Sequence, residues 1–375
     1  MADAKYNLHP VEGEGDAGFF DYVAAHNKKW STPTPELEAI FEKYGRPKPW
    51  LPSRKRLDLG RKGTAANAKR FMQTPFVKQT LSSIPGPDCS TQERTIRTGS
   101  SGIDIPVRIY TPGSRPMGRP VIIMAHQGGF CTGDLNSEEF ICRLLCRSVG
   151  MIVIDVAYRL VPEHSLHDSR DDVYDVIEWT SKNGASLGGD LGKGFLIGGV
   201  SAGGIHTLNA LYRARDNKLH PAITGVFIAC TGVPTELQDA TQSWSFLPEK
   251  LPSAKQNEFA PFSEKATNLC YGELADARVD DPEMTVLYRA DHSKLPPLYY
   301  QTAGMDLFRD GALYWQHLYR KSGNLCRTEI YPGVPHLWWL FYSQLSVTKK
   351  WANDVVLGVR WVLQQGQNDT VKSQL

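Results

Sequence analysis

Short runs of apolar, β-favouring residues recur along this chain between helical stretches. They are Val107-Arg108-Ile109-Tyr110, Val121-Ile122-Ile123-Met124, Ile152-Val153-Ile154, Phe195-Leu196-Ile197, Val226-Phe227-Ile228 and Pro297-Leu298-Tyr299-Tyr300. A strand that is apolar on every residue has no face to offer to water, so it must be covered on both sides, and the intervening helical segments supply that cover. The pattern predicts a doubly wound α/β core with a mostly parallel central sheet flanked by helices. A chain of 375 residues is long enough for one such domain with an appended helical cap. Residues 1–95 lack the strand rhythm, carry Pro-rich joints and contain the Pro-initiated amphipathic stretch Pro35-Glu36-Leu37-Glu38-Ala39-Ile40-Phe41. They are read as an N-terminal helical cap segment and 96–375 as the α/β domain. The rhythm lapses again at about 234–285, a stretch longer than an ordinary connection, which is read as a cap insertion.

Charge narrows the partners. Lys and Arg total 42 against 40 Asp and Glu, a formal charge of +2, so no basic field attracts nucleic acid or an anionic membrane. A neutral small molecule is the expected partner. The opening MADAKYNLHPVEGEGD has no basic start followed by an apolar run, and no segment is apolar for long enough to span a bilayer. A soluble, cytoplasmic protein without stable membrane insertion is expected, and a homodimer is left open. The seven cysteines, at 89, 131, 142, 146, 230, 270 and 326, are odd in number and scattered, which fits reduced thiols. Cys142 and Cys146 share a helix face without a second Cys or His pair, so buried packing is expected there and no metal site.

Gly199-Val200-Ser201-Ala202-Gly203 matches G-x-S-x-G, in which the glycines let a strand turn sharply into a helix around an exposed serine. With 33 glycines in the chain, roughly 0.2 such matches would arise by chance, so context decides. The strand Phe195-Leu196-Ile197 leads into the motif and the helical Ile205 to Leu211 follows it, as the chemistry requires. A serine hydroxyl needs a base, and the base a carboxylate to orient it. In this arrangement the chain order is Ser, acid, His. Of the histidines well beyond the elbow, His220, His292 and His317 read as surface or packing residues, whereas His336 lies in a loop after the strand-like Arg327 to Tyr331. Asp306, which ends the strand beginning at Leu298, is the expected acid; Asp310 reads as a helix N-terminal charge. His126-Gln127-Gly128-Gly129-Phe130 follows another strand, and its glycines would bring backbone N–H groups close to an oxyanion, each donor worth about 3 kcal/mol.

These motifs, with Tyr158-Arg159-Leu160-Val161-Pro162-Glu163-His164, Gly204, Asp306-Leu307-Phe308-Arg309-Asp310-Gly311 and Pro335-His336, run in order from about residue 100 to 340. Together they resemble the hormone-sensitive-lipase branch of the α/β-hydrolase fold. The resemblance implies a carboxylic-ester hydrolase with Ser201 as nucleophile, His336 as general base and Asp306 as orienting acid. It implies an oxyanion hole from the N–H groups of Gly128, Gly129 and Ala202, no metal or organic cofactor, short or medium acyl esters and sometimes thioesters, amides or lactones as substrates, and a bracing role for the Tyr158 to His164 stretch.

Two positions depart from the family. Gln127 stands where Gly is usual, and Leu337, Trp338 and Trp339 follow the histidine where a small residue is usual. Phe130, Leu337 and Trp338 are therefore expected to line a specialised pocket for a small apolar or aromatic substrate, with core packing the competing reading for the tryptophan. The departures also keep open an acyltransferase, or a cyclase or lyase of natural-product biosynthesis, on the same triad. A non-catalytic ligand receptor is the alternative of another class, disfavoured because Ser201, Asp306 and His336 are all retained.

Overall fold

In the computed structural model, residues 16–98, 102–113, 117–232, 251–277 and 286–374 are described. Eight strands form one sheet: β1 (Ser90–Arg97), β2 (Asp104–Thr111), β3 (Val121–Ala125), β4 (Ile152–Val156), β5 (Phe195–Val200), β6 (Gly225–Ala229), β7 (Leu298–Ala303) and β8 (Cys326–Tyr331), in the order β1-β2-β4-β3-β5-β6-β7-β8. Every pairing from β4 to β8 is parallel, while β1 and β2 run antiparallel at one edge.

The central strands are buried on every residue, as their composition requires. Successive residues of β3 go to opposite faces: Ile122 and Met124 join one apolar cluster, and Val121, Ile123 and Ala125 join the other. The helices, in chain order, are α1 (Asp16–Ser31), α2 (Pro35–Tyr44), α3 (Leu57–Met72), α4 (Pro75–Ser83), α5 (Glu139–Leu144), α6 (Leu166–Asn183), α7 (Ala202–Asp216), α8 (Ser253–Gln256), α9 (Lys265–Ala275), α10 (Arg309–Lys321), α11 (Trp338–Phe341) and α12 (Ser346–Gln374). α5 and α12 cover the first face of the sheet; α6, α7 and α10 cover the second.

β1 escapes the apolar-run criterion because only Ile96 of its eight residues is buried. It is a polar edge strand, a composition that discourages pairing with other chains. The expected boundary near residue 95 therefore falls inside a strand of the sheet. Upstream, α2 begins where Pro35 predicted it, with the Thr34 hydroxyl accepting from Leu37 N at 3.2 Å. α1 packs on α10 through Phe19 against Tyr314, and its Asp16 meets His317 at 3.0 Å. Of the expected insertion at 234–285, residues 234–250 and 278–285 lie outside the described residues; α8 and α9 lie within it. Cys142 and Cys146 are both buried in the core, as expected.

The polar residues beneath the Gly-rich loop after β3 carry a cost that pH exposes. His206 on α7 is fully buried, edge-on to the rings of Phe130 and Tyr158, and neither of its ring nitrogens has a hydrogen-bond partner among the described residues. Burial, with smaller repulsion from Arg170 and His126, lowers its pKa to about 3. Below the unfolded value of about 6.5 the unfolded chain binds a proton that the folded one refuses, so stability is lost as pH falls. By pH 5 this amounts to about 2 kcal/mol. His206→Phe should remove that loss, making the drop in unfolding free energy between pH 7 and pH 5 smaller than in the wild type. Any overpacking by the larger ring shifts both pH values alike, so the difference between them, from denaturant titrations, is the readout.

Candidate active site

β5 ends at Val200 and α7 starts at Ala202, leaving Ser201 alone in the turn with φ 52° and ψ −120°. A non-glycine residue held there costs about 1–3 kcal/mol, so its surroundings must impose it. Ser201 N donates to Ala229 O at 3.0 Å, and the Thr231 hydroxyl donates to Ser201 O at 3.2 Å. Gly203 has no room for a side chain, because a Cβ would run into the carbonyls of Ala125 and His126; a Cβ on Gly199 would strike the Gly203 carbonyl. The turn is thus pressed onto the end of β3, which places the serine beside the Gly-rich loop.

Asp306 and His336 arrive from the turns after β7 and β8. These turns are stitched together by Gly304 N to Tyr331 O (2.7 Å) and Met305 N to Val334 O (3.0 Å). Ser201 Oγ lies 2.9 Å from His336 Nε2, and His336 Nδ1 lies 2.5 Å from Asp306 Oδ2. The other Asp306 oxygen accepts from Phe308 N at 3.1 Å, and both Asp306 and His336 are buried. The three residues expected from the sequence therefore meet in one hydrogen-bonded chain. Asp310 points elsewhere: it pairs with Arg309 at 2.7 Å, both fully buried, and accepts from Ser253 N at 2.8 Å. His292 and His317 are buried rather than on the surface, each with a partner, Tyr212 and Asp16.

Cys230, at the end of β6, carries no sequence signal for a site, yet its thiol lies within 4.8 Å of the ligating atoms of Asp306 and His336. Burial, reinforced by the Asp306 charge, pushes that thiol up. Both His336 nitrogens already have partners, so a metal bound by this trio would have to break the chain just described.

Gly128, Gly129 and Phe130 have φ of 142°, 58° and 67°. A Cβ on Gly128 would collide with the Thr132 carbonyl, and one on Gly129 would lie 2.8 Å from the Tyr271 ring. Gln127 is absent from the positive-φ residues, so a side chain there costs no backbone strain; its N–H goes to Glu138 Oε1 at 3.1 Å. Tyr158 donates to His126 O at 2.7 Å, and Arg61 of α3 reaches Cys131 O, Val161 O and, through two nitrogens, Glu163. Ala202 opens α7, so its N–H has no acceptor within the helix.

An apolar cavity of about 60 Å³ opens at Ser201, walled by Gly129, Phe130, Ile205, Tyr271 and Phe308. Phe130 is one of its walls. Leu337 and Trp338 are not, and the expectation is corrected: Leu337 takes φ 52°, which turns the chain inward, and Trp338 is fully buried in the core against Tyr331, Trp339 and Trp351. Tyr271, from α9, was missed because the insertion carries no motif.

The family model described as the alpha/beta hydrolase fold matches residues 122–340. Carboxylesterase NlhH of Mycobacterium tuberculosis is 30% identical over 67% of this chain and 76% of its own. Versiconal hemiacetal acetate esterase of Dothistroma septosporum is 27% identical over 72% and 82%. Among solved structures, vibralactone cyclase superimposes with a TM-score of 0.80 at 25% identity, covering 90% of this chain and 97% of that one. A match over more than half of the chain, joined to the sheet order and the turn at Ser201, leaves one conclusion: the chain belongs to the α/β-hydrolase family, in its hormone-sensitive-lipase-like branch.

Proposed function

We propose that this chain is a serine hydrolase that cleaves a carboxylic ester of a small apolar or aromatic molecule through an acyl-enzyme. The observation that carries the reading is the continuous chain from Ser201 Oγ through His336 to Asp306, opening onto the apolar cavity. His336 Nε2 takes the serine proton as Oγ attacks the carbonyl carbon, and Asp306 stabilises the imidazolium. The N–H groups of Gly128, Gly129 and Ala202 receive the oxyanion, aided by the positive end of α7. His336 then protonates the departing alcohol, and a water activated by the same imidazole releases the acid. Each proton and charge in this sequence is carried by the chain's own residues, substrate or water.

The small cavity suits a short acyl group, and a relative whose name gives an acetate ester accords with that. The near-balanced charge fits a neutral partner, and no described helix is long and apolar enough to cross a membrane. We place the enzyme in the cytoplasm. The likeness to a cyclase supports a second reading, in which an acceptor within the substrate replaces water on the same residues. Products formed in isotopically labelled water separate the two, because only hydrolysis puts the label into a released acid.

Ser201→Ala should abolish turnover of p-nitrophenyl acetate and covalent labelling by a fluorophosphonate; labelling at the wild-type rate would overturn the assignment. Gly128→Ala, whose Cβ meets the Thr132 carbonyl, should lower kcat by about a hundredfold or more. Tyr271→Ala should raise kcat/KM for p-nitrophenyl octanoate relative to the acetate by about tenfold, since it removes a wall of the cavity at Ser201 and so enlarges it.

A further inference from the structure

One peptide group in the loop after β3 is gripped from both ends. The carbonyl of His126 accepts from Tyr158 Oη at 2.7 Å, and the N–H of Gln127, the other half of the same planar unit, donates to Glu138 Oε1 at 3.1 Å. This plane leads directly into Gly128 and Gly129, which have no side chains by which packing could hold them. Both anchors are themselves immobilised. Tyr158 is 2% exposed and stacks on the His126 ring at 4.2 Å. Glu138 is 3% exposed, and its carbonyl accepts from Cys142 N at 2.9 Å at the start of α5, four of whose six side chains are buried.

We propose that Glu138 is a positioning residue of the oxyanion hole, holding the Gln127 N–H so that the His126–Gln127 peptide cannot rotate and Gly128 and Gly129 present their N–H groups to the substrate carbonyl. The inference rests on the ester-hydrolase reading above. The chemistry of the anchor suits the task. Burial pushes the Glu138 carboxyl well above its usual range, opposed by the Gln127 N–H and reinforced by nearby Asp155. A neutral acid offers the same carbonyl acceptor as an ionised one, without a negative charge beneath an oxygen that is about to become negative itself. A glutamine would offer that acceptor too, in the same place and without charge, whereas alanine or methionine offers none.

The test uses the full chain and the variants Glu138→Ala, Glu138→Met, Glu138→Gln and Tyr158→Phe, with the double variant Glu138→Ala/Tyr158→Phe. The readouts are kcat and KM for p-nitrophenyl acetate and the second-order rate of fluorophosphonate labelling. Glu138→Ala should lower kcat and the labelling rate about tenfold to a hundredfold while KM stays within about twofold, because the oxyanion forms only in the transition state. Glu138→Met keeps the volume and should show the same loss even where the alanine variant does not fold. Glu138→Gln should return both rates to within about threefold of wild type. Because the two anchors hold one peptide, the double variant should lose less than the product of the single losses. Wild-type kcat and labelling in Glu138→Met, or a Glu138→Gln variant as impaired as Glu138→Met, overturns the inference and leaves the hydrolase reading intact. A wild-type protein that neither turns over the ester nor takes the label overturns the hydrolase reading, and this inference with it.

Discussion

The close approach of two backbones, the start of α7 and the end of β3, is the constraint on which the site depends. Gly203 lies so near the carbonyls of Ala125 and His126 that no side chain fits between them. That approach sets Ser201 beside the Gly-rich loop and forces its backbone into a conformation that an isolated serine would leave. The strain is tolerated because β5 and β6 hold the turn on one side, through Ser201 N to Ala229 O, and the helix continues on the other. The proposed nucleophile and two of the proposed oxyanion donors are thus placed by one packing contact rather than by two independent ones.

The remaining partners reach the same point by a different route. Asp306 and His336 lie on turns that follow adjacent parallel strands, and the sheet register brings those turns together. Hydrogen bonds between them then set the imidazole between serine and carboxylate. Parallel strands place their C-terminal ends on one side of the sheet, which is where ligands gather in open α/β folds. The cavity at Ser201 opens there, closed on one flank by Tyr271 from the segment between β6 and β7.

Much of this was readable in advance, for physical reasons that also explain the misses. Strands β3 to β7 betray themselves because both faces are buried, while β1 has one buried residue in eight and reads as a polar connection. Ser201, Asp306 and His336 stand at strand ends followed by turn residues, so local pattern locates them. Trp338 misleads because proximity in sequence to His336 does not carry across the left-handed turn at Leu337, which sends the indole into the core. His292 and His317 read as surface or packing residues, and packing is what the fold makes of them: Tyr212 and Asp16, both remote in sequence, come into hydrogen-bond range. Tyr271 over Gly129 and Glu138 beside Gln127 are likewise meetings that only the folded chain brings about.

The N-terminal helices look from the sequence like a cover laid over a finished domain, yet the end of α1 and the link to α2 are woven into the turn that carries His336. Gly333 N donates to Trp30 O at 2.8 Å, and Thr34 N donates to Gly333 O at 3.0 Å, three residues before the imidazole. Gly333 itself takes φ 68°, and a side chain there would strike the backbone from Thr32 to Thr34. The segment therefore serves as a splint for the histidine. Whatever freedom it has to adapt to substrates elsewhere along its length, at this crossing it must stay still for the base to remain in line with the serine.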